Sequence, residues 1–235
     1  MDMSLPFSET WLISLASRPD RYSIMRSQID NYFGWEVKDH RTVIHPCCNE
    51  IFSKGIGYLN RPNAFACTWE HYTLIKSAYL RGLDSICVME DDVSFYRDIS
   101  VWEDYMSNLP SNWDILRICC LRGSTEQDYF SRRPGLKWAR EFISTWGTGC
   151  YALSRNGMEY MINSIDSHLQ PIDHPLFKIC GRSGSGINSY IPNIPLGLCL
   201  DDSLCSDINI NSGPNFYFRD IKDLDYSMYG KEKGV

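Results

Sequence analysis

Ser85-Ile-Cys-Val-Met-Glu-Asp-Asp-Val93 is the stretch on which the reading of this chain turns. The unbroken apolar run Ile86–Met89 fits a strand buried on both faces, the kind found in a parallel sheet covered by helices. It runs straight into three adjacent carboxylates, Glu90, Asp91 and Asp92. Ligands of open α/β sheets bind beyond the carboxyl ends of the strands, so the triplet sits where a site is expected. Adjacent carboxylates repel one another, and a hard divalent cation relieves that repulsion by taking oxygen ligands. A solvated acidic turn accounts for the same residues without a function, and spacing alone leaves both readings open.

Working outward, Ala64 to Leu80 carries Phe65, Trp69, Tyr72, Ile75, Ala78 and Tyr79 at helical spacing, with Gly82 closing the helix. Further upstream, Trp11–Ser17 fits a buried strand. Ser17 is expected to cap a helix whose first turn holds Pro19 and Asp20 and whose apolar positions are Ile24, Met25, Ile29 and Phe33. Val43 and Ile44 suggest a second strand, followed by a turn-rich loop over residues 53–62. Downstream, the pattern predicts a helix near 101–108 and a strand over Asp114–Cys120, then a polar loop over 122–140 and a strand over Thr148–Leu153. Ser154 is expected to cap a helix reaching about Ile165. A short helix follows Pro171, and residues 181–200 look irregular. Strands alternating with helices predict an α/β sandwich with a central, mostly parallel sheet. The 235 residues divide into one domain over 1–212 and a peripheral tail over 213–235.

Composition narrows the function. Lys and Arg number 23 against 29 Asp and Glu, a net charge of −6, which argues against a general nucleic-acid binder. The first residues lack a basic segment followed by an apolar one, so no signal peptide is expected. No stretch approaches the ~20 apolar residues of a membrane span. The ten cysteines fall mostly within apolar runs, which suits buried thiols in a reducing compartment. Cys67 and His71, four apart, could share a helix face. As a pair without further ligands in sequence, they read as structural. The chain is therefore expected to be cytoplasmic.

Two glycine patterns mislead. Gly147-x-Gly149-x-x-Ala152 precedes a strand, whereas a dinucleotide fingerprint joins a strand to a helix, and Gly181–Gly186 lacks the Lys-Ser/Thr of a P-loop. No G-x-S-x-G elbow supports a serine hydrolase.

Taken in order, several blocks resemble glycosyltransferase family 25, the lipopolysaccharide and collagen galactosyltransferase-like group. They are Trp11-Leu-Ile-Ser-Leu-Ala-Ser-Arg18-Pro-Asp-Arg21, Ala66-Cys-Thr-Trp-Glu-His71, Glu90-Asp-Asp-Val93, Gly147-Thr-Gly-Cys-Tyr151-Ala-Leu-Ser154, Pro171-Ile-Asp173 and Ser206-Asp-Ile208. The match runs over about residues 11–208. Ser14, Ala16, Ala66 and Glu70 depart from the family's pattern, and no histidine follows His174.

The resemblance implies a GT-A-type, Rossmann-like fold and an inverting transfer of a hexose from a UDP-sugar, UDP-galactose or UDP-glucose, to a glycan or polysaccharide acceptor. Under it, Glu90 and Asp92 hold Mn²⁺ (or Mg²⁺), and Arg18, Arg21, His71 and Asp91 serve the donor. Asp173 is the base, with Asp201 and Asp202 in reserve and Trp146 as a sugar-stacking candidate. Each has a plainer reading: Arg18 as a salt bridge to Asp20, Asp173 as a helix cap, His71 and Trp146 as core. It also implies work in surface polysaccharide assembly, lipopolysaccharide included, at the inner face of the membrane. Two rivals are a degenerate member that binds without turnover and a metal-dependent hydrolase using the same carboxylates on water.

Overall fold

The computed structural model describes residues 7–33, 35–42, 62–95, 99–121, 137–141, 146–167, 172–179, 186–193 and 196–199. In chain order these form β1 (Glu9–Leu15), α1 (Pro19–Tyr32), β2 (Lys38–Thr42), α2 (Pro62–Leu80), β3 (Ser85–Glu90), β4 (Val93–Phe95) and α3 (Ile99–Ser107). There follow β5 (Ile115–Leu121), β6 (Trp138–Arg140), β7 (Trp146–Ser154), α4 (Arg155–Ser167), α5 (Asp173–Ile179), β8 (Ser189–Pro192) and β9 (Gly197–Cys199).

Among the described residues, seven strands make one sheet in the order β2-β1-β3-β7-β5-β8-β6, and β4 pairs with β9 apart from it. The strands β2, β1, β3, β5 and β8 share one direction, while β7 and β6 oppose them. The expected α/β sandwich with a mostly parallel sheet is present.

Each face carries its own core, and the period-two alternation of β3 shows how. Cys87 and Met89 join Met25, Ile29 and Phe33 of the α1 side, with Trp102 and Tyr105 of α3. Ile86 and Val88 join Ile75 and Ala78 of α2, with Met158 and Met161 of α4. An aromatic knot of Phe33, Phe95 and Trp102, with centroids 4.6–5.3 Å apart, closes the first core. On the other face α4 lies hard against β5. A methyl group at Gly157 would come 2.1 Å from the Asp114 carbonyl oxygen, so only glycine allows that approach.

Several sequence expectations shift. Ser17 does not cap α1. Arg18 occupies the N-cap, with Pro19 beginning the helix and no side-chain cap bond. Proline's fixed φ suits the first helical position and sets the start one residue later than the serine suggests. Ser154 does cap α4, accepting from the Gly157 N–H at 3.2 Å. The second strand lies at Lys38–Thr42, a polar segment that its pairing with β1 recruits; Val43 and Ile44 fall outside the described residues, as do residues 53–61 and the boundary at 212. The short helix after Pro171 is α5. No helix among the described residues is long and apolar enough to cross a membrane.

Candidate active site

The site is built where β3 ends. Continuing the strand's alternation, Glu90 emerges on the α2 face and Asp91 on the α1 face. Neighbours in sequence thus acquire different partners.

Glu90 meets His71, which α2 presents across the sheet. The His71 Nε2 lies 3.2 Å from Glu90 Oε1, and the Thr148 hydroxyl donates to the same oxygen. Thr148 is there because β7 runs antiparallel to β3, pairing Met89 with Cys150 and bringing the start of β7 to the end of β3. The other His71 nitrogen, Nδ1, is hydrogen-bonded to the Tyr151 hydroxyl at 2.8 Å, with the two rings stacked at 23°. Burial pushes the Glu90 carboxyl up. The His71 contact, the Thr148 hydroxyl and the Arg21 charge outweigh it and leave the group below its ordinary value.

Asp91 is paired with Arg21 of α1 at 3.6 Å, and both are buried, 9% and 4% exposed. Arg18 forks onto Asp20 at 3.0 and 3.1 Å, the salt bridge its plainer reading foresaw. Asp92 is half-buried in the turn between β3 and β4.

Asp173 begins α5 and is half-buried. Burial raises its carboxyl above the ordinary aspartate value. His174 and Arg117 pull it down, and Glu90 pushes it up again. Arg117 is itself buried, donating to the Gly147 carbonyl at 2.8 Å with Glu141 at 3.7 Å.

Cys67 stands on α2, one turn before His71. Burial lifts its thiol well above the ordinary range, and Glu90, Asp92, Asp173 and Glu70 all lift it further. The acids assigned to metal and base from sequence come from β3, the following turn and α5.

The structure separates the predicted donor residues. His71, at 0% exposure, and Arg21 are enclosed and hold Glu90 and Asp91; Arg18 stays partly accessible. Two departures from the family pattern find structural partners. Glu70 lies 2.6 Å from the His40 ring of β2, and Ser14 accepts from Arg41 at 3.2 Å. Sequence reasoning missed Thr148, Tyr151 and Arg117. Only the last had a readable signal, a charge inside an apolar strand run. The side chain of Trp146, and all of Asp201, Asp202, Gly181–Ser185 and the Ser206–Ile208 block, lie outside the described residues.

No protein-family model and no curated protein matches the chain. Solved structures similar to it include CMP:2-keto-3-deoxy-manno-octonic acid synthetase complexed with CTP. It is 11% identical, with 78% of this chain and 89% of that one covered and a TM-score of 0.40. The galactosyltransferase LgtC in complex with donor and acceptor sugar analogs is 10% identical, covering 72% of this chain and 70% of that one at a TM-score of 0.37. The glycosyltransferase GlyE of Streptococcus pneumoniae is 10% identical, covering 84% of this chain and 46% of that one at a TM-score of 0.39.

Proposed function

We propose that this protein is a metal-dependent inverting glycosyltransferase that moves a hexose from a UDP-sugar, galactose before glucose, to a glycan acceptor. The observation that carries the reading is the placement of half-buried Glu90 and Asp92 at the carboxyl end of β3, with half-buried Asp173 at the start of α5, a helix that packs on the strand paired to β3.

Glu90 and Asp92 would hold Mn²⁺ or Mg²⁺. Their fit is chemical: an ionised carboxylate offers about four lone-pair sites, and the Thr148 hydroxyl uses one of those on Glu90. When bound, the ion offsets the charge that a departing diphosphate gains. Asp173 takes the proton from the acceptor hydroxyl. That oxygen then bonds to the anomeric carbon from the face opposite the diphosphate, and the bond to the diphosphate breaks, releasing UDP. Burial favours Asp173 in this role, because a carboxyl raised above its ordinary value binds the proton more strongly.

Arg21 and His71 are positioning residues. One fixes Asp91 for contact with the donor, the other fixes Glu90. Arg18, at the partly accessible start of α1, is the residue for a phosphate oxygen, helped by the amide dipoles of the helix N-terminus.

Calorimetric titration of UDP into the purified protein, with and without Mn²⁺, tests the proposal. Binding that needs Mn²⁺ and is lost in Asp92→Ala is the expected result. Folded wild-type protein that binds no UDP under either condition overturns the donor assignment.

A further inference from the structure

Glu90 is also a corner of a triangle that carboxylate chemistry does not use. Cys67 and His71 stand one helical turn apart on α2, so both descend from the same face of that helix. β3 brings Glu90 up to meet them. Cys67 Sγ, a His71 ring nitrogen and a Glu90 oxygen all lie within 4.8 Å of one another. Cys67 is in no disulfide.

The imidazole supplies an independent pointer. His71 is wholly buried, and its Nε2 faces Glu90 Oε1 at 3.2 Å. Its Nδ1 is already engaged by Tyr151. A metal-binding histidine commonly shows this division of labour: one nitrogen is fixed by a hydrogen bond, and the other is aimed at the ion.

We infer that Cys67 Sγ, His71 Nε2 and Glu90 form a binding site for a divalent transition-metal ion of the zinc class, with a fourth position open. The donor set decides the class. Mg²⁺ and Mn²⁺ favour oxygen, whereas one sulfur, one nitrogen and one oxygen suit a borderline ion such as Zn²⁺ or Co²⁺. Tetrahedral bonds of about 2.0–2.3 Å require donors about 3.3–3.8 Å apart. The histidine–glutamate distance is close to that, and the widest separation closes with a shift of about 1 Å. Asp92 and Asp173 make the surroundings more negative, which favours a cation. The inference stands whether or not the protein transfers a sugar. It also differs from the Mn²⁺ reading in its ion and in two of its ligands.

Cobalt makes the thiolate visible. Co²⁺ titrated into the metal-stripped, full-length chain under a non-thiol reductant should bind one equivalent and produce the near-ultraviolet thiolate-to-cobalt band. Zn²⁺ should abolish the band, and an excess of Mn²⁺ should not. Cys67→Ser changes one atom at a half-buried position, and it should remove the band while leaving the circular dichroism unchanged. Asp92→Ala should keep the band. An undiminished band in Cys67→Ser, no cobalt uptake by folded wild type, or displacement by Mn²⁺ as readily as by Zn²⁺ would each overturn the assignment. The readout needs neither UDP nor acceptor, so failure of the donor assignment leaves it intact.

Discussion

The central sheet treats acid differently at its two ends. Where β1 begins, Glu9 accepts from Arg81 at 2.8 and 2.6 Å, from Lys38 at 2.6 Å and from the Trp11 indole at 3.0 Å. Arg81 is the largest influence on it, and together these donors bring its carboxyl down to about 2. Where β3 ends, Glu90 meets His71 and Thr148, Arg21 is committed to Asp91, and Arg117 is set between the Gly147 carbonyl and Glu141. The first end has two cations for one carboxylate and forms a closed ionic clasp. The second divides its acids among partners on different elements, and there burial raises Asp173 where cations lower Glu9.

The contrast fails most visibly if Asp173 proves dispensable. Asp173→Asn should lower kcat by about 10²–10⁴ with the melting temperature held, as loss of a general base does. In the wild type, kcat/KM should fall as acid protonates this base, with the midpoint above the ordinary aspartate value because burial raises the group. That limb should vanish in the variant. Glu9→Gln, measured alongside, should leave turnover unchanged.

Next in size is the buried pair behind the site. Arg21→Met leaves Asp91 enclosed without its cation and should cost about 3 kcal/mol in denaturant unfolding. Adding Asp91→Asn should recover much of it, since the penalty is the stranded charge and not the lost contact. A double variant no more stable than the single would mean that Arg21 acts through packing.

The smallest effect belongs to the clasp. Glu9→Gln should cost about 1–2 kcal/mol at neutral pH, a discounted figure because Arg81 and Lys38 are both more than a third exposed. The sign follows from a lowered carboxyl. The stabilisation is complete above the unfolded value near 4.5, and it is lost as pH falls toward about 2. Wild type and variant should therefore differ at pH 7 and converge in acid. A constant difference across that range would show that ionisation of Glu9 contributes nothing.

Much of the fold was legible because burial imposes a period. The Ile86–Met89 run, the helical spacing from Phe65 to Tyr79 and the Ser154 cap each signal their element locally, and the structure places them accordingly. β2 was less legible, for the opposite reason. Lys38-Asp-His-Arg-Thr42 has no apolar pattern of its own and becomes a strand by pairing with β1. The acidic triplet was legible as a group, but its division was not. Asp91 turns to Arg21 and Glu90 to His71 because the strand sends adjacent side chains to opposite faces.

By itself, then, the sequence determined the α/β class, the strand that ends in carboxylates and the identity of the acids beyond it, because hydrophobic periodicity and charge are written residue by residue. Only the tertiary structure decided that Cys67 and His71, an isolated pair along the chain, acquire Glu90 as a third member, and that Asp91 is enclosed with Arg21 instead. Those meetings depend on β7 inserting antiparallel between β3 and β5 and on which face of the sheet each helix covers. Long-range strand order is set by the packing of the whole sheet and leaves no local mark on any of the segments it joins.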